Sequence, residues 1–176
     1  MGVRCPRGAG PRTVLPVPEL ELLRADHAPA LLAFERENRS YFAACVPDRG
    51  DGYFARFDER HRGLLAEQAA GTCLFHVLVD AGGEVLGRFN LVDVADGTAE
   101  LGYRVAERAA GHGLATAAVR ELCGLAAGRY GLTALRAATT LDNAASRAVL
   151  ARTGFVPAGE ILLADRPGLA YVRPLS

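Results

Sequence analysis

Three strand-like runs followed by one long amphipathic segment constrain the fold more than any other feature of this sequence. The runs cover Thr72 to Val79, Glu84 to Val94 and Thr98 to Val105, and short glycine-containing segments separate them. Separations of this kind favour tight hairpins, so the runs predict an antiparallel meander. From Gly111 to Tyr130 the spacing of the apolar residues becomes helical. This order indicates a mixed α/β domain in which strands and helices do not alternate regularly.

Further elements are predicted on both sides of this centre. A strand candidate at Glu19 to Arg24 precedes helical patterns at Ala25 to Phe42 and Tyr53 to Ala70. The long helix is followed by a strand, a helix and two final strands, at Leu132 to Thr140, Ala144 to Thr153, Phe155 to Pro157 and Leu169 to Leu175. We therefore expect one domain over residues 19–176, with a mixed, mostly antiparallel sheet of six to seven strands and about four helices. Residues 1–18 lack the continuous apolar run of a signal peptide and are expected to form a flexible tail.

Composition and charge exclude several classes of function. The 20 basic and 20 acidic residues cancel, which argues against a dedicated nucleic-acid binder and against a polybasic membrane patch. No stretch has the ~18–20 apolar residues needed to span a bilayer. Cys5, Cys45, Cys73 and Cys123 form no CxxC pair, so we expect neither a zinc site nor a disulfide framework. These features predict a cytoplasmic protein, a monomer or homodimer, that binds no metal. Its expected substrate is a small molecule or a local peptide.

The strand that ends at Val105 passes through a glycine-containing turn into the long helix. The turn and the first residues of the helix include Arg108, Gly111, His112, Gly113, Leu114, Ala115 and Thr116. The first N–H groups of a helix have no intrahelical partner and lie at the positive end of its dipole, so they attract a diphosphate. Gly111 and Gly113 carry no side chain that would obstruct its approach. We predict that this segment forms an anion cradle.

The same segment resembles the acyl-CoA signature of the GNAT superfamily of N-acetyltransferases. That signature is arginine or glutamine, two variable residues, glycine, one variable residue, and then glycine or alanine; Arg108, Gly111 and Gly113 match it. A second resemblance lies further on, where Asn143 opens a helix that ends in a Gly-Phe pair. The spacing from Asn143 to Ser146 is similar to that of the branch that includes the ribosomal-protein N-terminal-alanine acetyltransferases.

The resemblance extends over residues 84–155 and implies both a fold and a function. It implies a GNAT fold with splayed central strands, across which acetyl-CoA lies. The pantetheine arm would pair with the backbone near Tyr103 to Val105, and the diphosphate would meet Arg108 through Thr116. The implied reaction is direct transfer of the acetyl group to a primary amine, with a backbone N–H of that strand polarising the thioester carbonyl. The acceptor can be a protein N-terminus or a small-molecule amine.

Proton transfer directs attention to two further candidates, Ser146 and Glu100. Many GNAT enzymes carry a tyrosine general acid seven residues after the asparagine, and Leu150 stands there in this chain. The resemblance places Ser146 near the thioester sulfur, where it can protonate the leaving thiolate, although it can also be an ordinary first-turn serine. Glu100, on the strand that leads to the cradle, is either the base or a solvated charge. Asn143 can cap its helix, bind the pantetheine amides, or do both.

Two other functions are compatible with part of the pattern. A near match to the dinucleotide-binding motif GxGxxG runs from Gly111 to Thr116. It is weakened because Thr116 replaces the third glycine, no acidic residue ends a strand about 20 positions later, and a meander precedes it. The absence of the tyrosine at Leu150 keeps a non-catalytic acyl-CoA-binding sensor open. Release of coenzyme A in the presence of an acceptor amine distinguishes the enzyme from the sensor.

Overall fold

Residues 16–176 are described by a computed structural model. In this range six α-helices and seven β-strands follow one another irregularly. In chain order they are β1 (Glu19–Leu22), α1 (Ala28–Glu37), α2 (Arg39–Ala43), α3 (Asp51–Ala55), α4 (Phe57–Ala69), β2 (Leu74–Val79), β3 (Val85–Ala95), β4 (Thr98–Val105), α5 (Leu114–Gly128), β5 (Ala134–Thr140), α6 (Ala144–Arg152), β6 (Val156–Leu163) and β7 (Arg166–Pro174). Short 3₁₀ turns lie at Ala25–His27 and Glu107–Ala109. Of the predicted tail, residues 1–15 lie outside the described range.

All seven strands form one sheet in the order β1-β2-β3-β4-β5-β7-β6. Every neighbouring pair is antiparallel except β4 and β5, which are parallel. The predicted meander is confirmed as β2, β3 and β4, and β1 extends it on the outer edge. The mixed, mostly antiparallel sheet predicted from the sequence is therefore confirmed.

The parallel pair at the centre of the sheet is incomplete. β4 and β5 are in register from Thr98 opposite Ala134 to Leu101 opposite Ala137, and pairing stops there. Beyond this point β4 continues to its end and β5 runs three residues further, but the two strands no longer share a ladder. The sheet thus opens into a V at the carboxyl ends of its two central strands. This is the splay that the family resemblance implies.

Three of the helices pack directly against the strands of the sheet. α5 packs against β1 and β3, while α1 packs against β3 and α4 against β2. Phe89 in β3 and Leu122 in α5 are completely buried at this centre, and burying a side chain of this size contributes about 1.5–3 kcal/mol. None of the helices in residues 16–176 is long and apolar enough to cross a membrane.

The first predicted helix is interrupted, and a buried side chain explains why. α1 ends at Asn38, whose side-chain Nδ2 donates to the carbonyl of Phe34 at 2.9 Å. Its Oδ1 accepts from the backbone N–H of Glu107 at 2.9 Å. Asn38 therefore ties the end of α1 to the loop that leads from β4 to α5. A second break, at Arg56, divides the next predicted helix into α3 and α4, so six helices stand where about four were expected.

The last two strands form a longer hairpin than the sequence pattern indicated. Its two turn residues, Ala164 and Asp165, have φ values of 47° and 62°. Two-residue hairpin turns of type I′ need positive φ at both positions, which Asn-Gly sequences usually supply. Because Ala-Asp carries no such signal, the sequence predicted only the ends of this hairpin. Its turn lies at the mouth of the V.

Candidate active site

Two adjoining cavities occupy the V between β4 and β5. The first, of about 340 Å³, lies between the end of β4, the start of α5 and α6, and is called the α5 groove. The second, of about 640 Å³, lies between the two strands, the chain from α2 to α3 and the β6–β7 turn, and is called the β5 cavity. Residues common to both linings are Cys45, Val46, Tyr103, Arg104, Asn143 and Ser146. The cavities therefore meet where β4 faces the first turn of α6.

Most of the residues predicted to bind the cofactor line the α5 groove. They are Tyr103, Val105, Gly111, Gly113, Leu114, Ala115, Thr116, Asn143 and Ser146. His112 is exposed and lies outside that lining. Arg108 is also outside, and its Nη2 lies 2.7 Å from Oε2 of Glu84. A role for Arg108 in phosphate binding stays a prediction that requires its half-exposed side chain to leave Glu84.

The start of α5 has the geometry of an anion cradle. Gly111 and Gly113 have φ values of 76° and 75°, a region in which only glycine is at ease. A Cβ built on either residue would meet nothing within 4 Å, so the space beside them is open. No side chain of the described residues caps this helix, and its first internal bond runs from Ala117 N–H to Gly113. The preceding N–H groups are free to bind a diphosphate.

A hydroxyl pair lies where the two cavities meet. The hydroxyl of Tyr103 donates to Oγ of Ser146 at 3.4 Å, and the Tyr103 ring stacks on Phe89 with centroids 5.6 Å apart. Burial raises the pKa of Tyr103 above its ordinary value, so the phenol keeps its proton throughout the neutral range. Asn143 Oδ1 accepts from the backbone N–H of Ser146 at 3.1 Å, and the predicted helix cap is therefore present.

Sequence reasoning missed the hydroxyl of Tyr103. That residue was expected to contribute only its backbone, and Leu150, at the position where other family members carry tyrosine, is fully buried. A phenol nevertheless reaches the cleft, from β4 instead of α6. No sequence signal could have shown this, because Tyr103 and Ser146 are 43 residues apart and meet only through the fold.

Glu100, the predicted base, lines neither cavity in the described part of the chain. It is exposed on β4 and stands opposite Arg136 in the parallel register. Alternate residues of a strand share a face, so Glu100 points to the same side as Gly102, about 7 Å further along. Gly102 lines the β5 cavity. A proton could therefore reach Glu100 only through intervening water, and its role stays a prediction.

Further charged and polar groups line the β5 cavity that sequence reasoning did not identify. Arg49, Arg88 and Arg104 all approach the buried Glu35 of α1. The Oδ1 atom of Asn90, opposite Gly102 on β3, is buried and has no hydrogen-bond partner among the described residues. Glu35, an acidic residue at a buried position of α1, was the sequence signal that could have revealed these groups. No group of three or more metal-binding side chains occurs in residues 16–176.

The arrangement in the V defines a class of enzyme. A backbone cradle for a diphosphate, an unpaired strand edge beside it and a hydroxyl pair at the far end suit a long acyl-CoA whose thioester ends at the junction of the cavities. The site is that of an acyl-CoA-dependent acyltransferase. Residues 19–156 match the family model described as an acetyltransferase (GNAT) domain. The chain belongs to this family and is an acetyl-CoA-dependent N-acetyltransferase.

Three solved structures share the fold of this chain. The ribosomal-protein-alanine acetyltransferase of Vibrio fischeri is 20% identical, with 88% of this chain and 91% of that one covered and a TM-score of 0.83. RimL, a ribosomal alpha-N-protein acetyltransferase in complex with coenzyme A, is 19% identical, with coverages of 90% and 94% and a TM-score of 0.81. RimJ of Mycobacterium smegmatis, in complex with a CoA-disulfide, is 26% identical, with coverages of 88% and 80% and a TM-score of 0.79. A sequence comparison with curated proteins finds no match.

The cradle can be tested with two matched glycine substitutions. We expect Gly113→Ala to weaken coenzyme A binding at least about 10-fold, because its methyl group would enter the space that the diphosphate occupies. The left-handed backbone also strains any residue with a Cβ, by roughly 1–2 kcal/mol. Gly131→Ala is the control, since Gly131 has φ 65°, equally open surroundings and a place outside both cavities. Calorimetric titration and thermal denaturation measure the two effects separately.

Both variants should lose similar stability, and only Gly113→Ala should lose affinity. Equal affinity in the two variants would show that the diphosphate does not approach the start of α5.

Proposed function

We propose that this enzyme acetylates the N-terminal α-amine of a polypeptide. One observation carries the proposal: beyond Ala137, β5 has no partner on its β4 side, so Ala138 to Thr140 present an open strand edge to the β5 cavity. An extended peptide can bind such an edge through its main chain. A small amine would leave that edge unused. The names of two structural neighbours also denote acetylation of ribosomal proteins.

Binding of the two substrates follows from the two cavities. The α5 groove holds acetyl-CoA, with the diphosphate at the start of α5 and the pantetheine arm along the free edge of β4. Acetyl-CoA supplies an activated acyl group whose carbonyl carbon is open to attack. A backbone N–H in Tyr103 to Val105 polarises that carbonyl. The β5 cavity holds the acceptor, and Asn90 forms part of its wall.

The attacking amine must be neutral. An α-amine has an ordinary pKa near 8, whereas that of a lysine side chain is about 10.4, so an α-amine needs far less help from a base. This difference suits a site in which the predicted base, Glu100, stands outside the cavity lining. We propose that Glu100 receives the amine proton through water. The N–C bond forms as the C–S bond breaks, and the amine nitrogen loses one proton.

The leaving thiolate takes its proton from the hydroxyl pair, and the pair recovers a proton from solvent before the next turnover. Ser146 lies at the junction of the cavities, and its Oγ can donate to the sulfur while Tyr103 donates to Ser146. The pair thus takes the role of the general-acid tyrosine that many family members carry at the position of Leu150. Since Leu150 was the observation in favour of a non-catalytic sensor, the position of the Tyr103 hydroxyl removes that argument.

A panel of amines tests the proposed acceptor. The enzyme is supplied with acetyl-CoA and with peptides that have a free N-terminal alanine or serine, and coenzyme A release is followed. We expect rapid release with the free peptides and none with the same peptides blocked by N-acetylation. Blocked peptides that contain an internal lysine, and small diamines, are the comparison acceptors. Faster release with either of these than with every free peptide would overturn the proposal.

A further inference from the structure

Three arginines converge on a single buried carboxylate at the side of the β5 cavity. Glu35 Oε1 lies 2.6 Å from Arg88 Nη1, and Glu35 Oε2 lies 3.5 Å from Arg104 Nη1 and 3.6 Å from Arg49 Nε. The side chain of Glu35 is only 2% exposed. One negative charge therefore faces three positive charges, and two positive charges are left over.

The arginines are placed where folding alone would not favour them. Arg88 and Arg104 stand directly opposite each other on β3 and β4, and like charges in that position destabilise a sheet. Burial lowers the pKa of Arg104, and the neighbouring charge of Arg49 lowers it further. An arrangement that opposes local stability is typical of a functional site.

Neighbouring acids do not neutralise this surplus. Asp48 and Asp51 both form ion pairs with Arg39, at 2.6 Å and 2.8 Å. Arg166, on the opposite side of the β5 cavity, is paired with Asp142. No aspartate or glutamate is among the residues that line the β5 cavity in the described chain. The trio of Arg49, Arg88 and Arg104 therefore lines that cavity with two positive charges that no carboxylate of the described residues offsets.

The distance along the strands defines what the trio can reach. Asn90 and Gly102 face each other across β3 and β4, and Arg88 and Arg104 form the next pair on the same face. Two residues of a strand span about 7 Å. An extended peptide advances by a similar distance over two residues, so a group on its second or third residue lies beside the arginines when its amine is near Asn90.

We propose that the acceptor polypeptide carries a carboxylate side chain at its second or third residue and that Arg49 and Arg104 bind it. This inference rests on the proposed acetylation of polypeptide N-termini and names the class of sequence that the same site selects. Arg88 is held by Glu35 and is almost fully buried. Arg49 and Arg104 have side chains that are 31% and 21% exposed, and they are therefore available to a ligand.

A cycle of enzyme and peptide substitutions tests this selection. Two C-terminally amidated peptides with N-terminal alanine are compared, one with glutamate at the second and third positions and one with glutamine. Hydrogen bonds to charged groups predict a kcat/KM about 10- to 100-fold higher for the glutamate peptide. In Arg49→Gln/Arg104→Gln this preference should fall to nearly 1. Arg60→Gln is the matched control, because Arg60 also stacks on Tyr53 but does not line the β5 cavity.

The outcomes separate the two proposals. Equal rates for the glutamate and glutamine peptides in the unsubstituted enzyme would overturn the selection of acidic residues and leave N-terminal acetylation standing. Failure with every free peptide would overturn both. If free alanine were acetylated faster than both the glutamate peptide and alaninamide, the arginines would bind the α-carboxylate of an amino acid. That result would refute the polypeptide acceptor. A preference that persists in the double variant, or that falls as much in Arg60→Gln as in the double variant, would remove Arg49 and Arg104 as its source.

Discussion

Tyr103→Phe and Ser146→Ala are each expected to slow turnover about 10²- to 10⁴-fold, the usual effect of losing a general acid. Tyr103→Phe removes one hydroxyl and keeps the ring that stacks on Phe89, so acetyl-CoA affinity should stay within a few-fold. Steady-state kinetics and calorimetric titration measure the two quantities. Tyr130→Phe is the matched control, because its hydroxyl contacts His76 at 2.7 Å, away from the cleft.

The double variant distinguishes a relay from two independent groups. If Tyr103 supplies its proton through Ser146, removing both hydroxyls should slow the reaction about as much as removing the more important one alone. Independent roles would give defects that multiply. Near-normal turnover in both single variants across pH 6 to 9 would mean that proximity and backbone polarisation suffice.

The same assay with Glu100→Gln tests the predicted base. The turnover lost in this variant should recover as rising pH deprotonates the amine.

Glu35→Gln is expected to reduce the free energy of unfolding by about 3–5 kcal/mol, as removal of one partner from a buried ion pair does. The substitution leaves the buried guanidinium of Arg88 without its carboxylate partner. It also removes the one carboxylate of the described residues that contacts all three arginines of the trio. Glu84→Gln is the control, since it breaks an equally short ion pair, with Arg108, on the exposed surface. Exposed pairs contribute about 0–1 kcal/mol.

Urea denaturation at neutral pH measures both values, and an unchanged m value would confirm that the variants unfold in the same manner. A loss for Glu35→Gln as small as that for Glu84→Gln would show that the trio is not held by this carboxylate.

Local sequence patterns were sufficient to predict the meander and the glycine-containing turn that precedes α5. Gly111 and Gly113 lie within one short segment whose geometry depends on adjacent residues, and the strands of the meander follow each other directly. The break at Asn38 could not be predicted in this way, because its side chain bonds to Glu107, 69 residues away. The same limit applies to Tyr103, whose hydroxyl finds its partner across the V.

The arginine trio occupies an intermediate position between these cases. The hairpin of β3 and β4 follows from the sequence pattern, but Arg88 stands opposite Arg104 only because a bulge between Val92 and Ala95 shifts the register by one residue. The third arginine and Glu35 come from separate helices and loops, and only the packing of α1 on the sheet brings them together. The hairpin was therefore within reach of sequence reasoning, but the opposition of the two arginines and the net charge beside the β5 cavity were not.

Largely different stretches of the chain line the two cavities, so one lining can change in evolution while the other is kept. The turn and helix start that are predicted to bind the cofactor form one continuous segment. Pro47 and Arg49 from one stretch, and Leu163, Ala164 and Arg166 from another, line the β5 cavity and not the α5 groove. Pro47 and Arg49 lie in a loop and Ala164 lies in the turn between β6 and β7, and such segments tolerate exchange more readily than strands do. Successive substitutions there can transfer the enzyme to a new amine while the acyl donor and its chemistry are inherited unchanged.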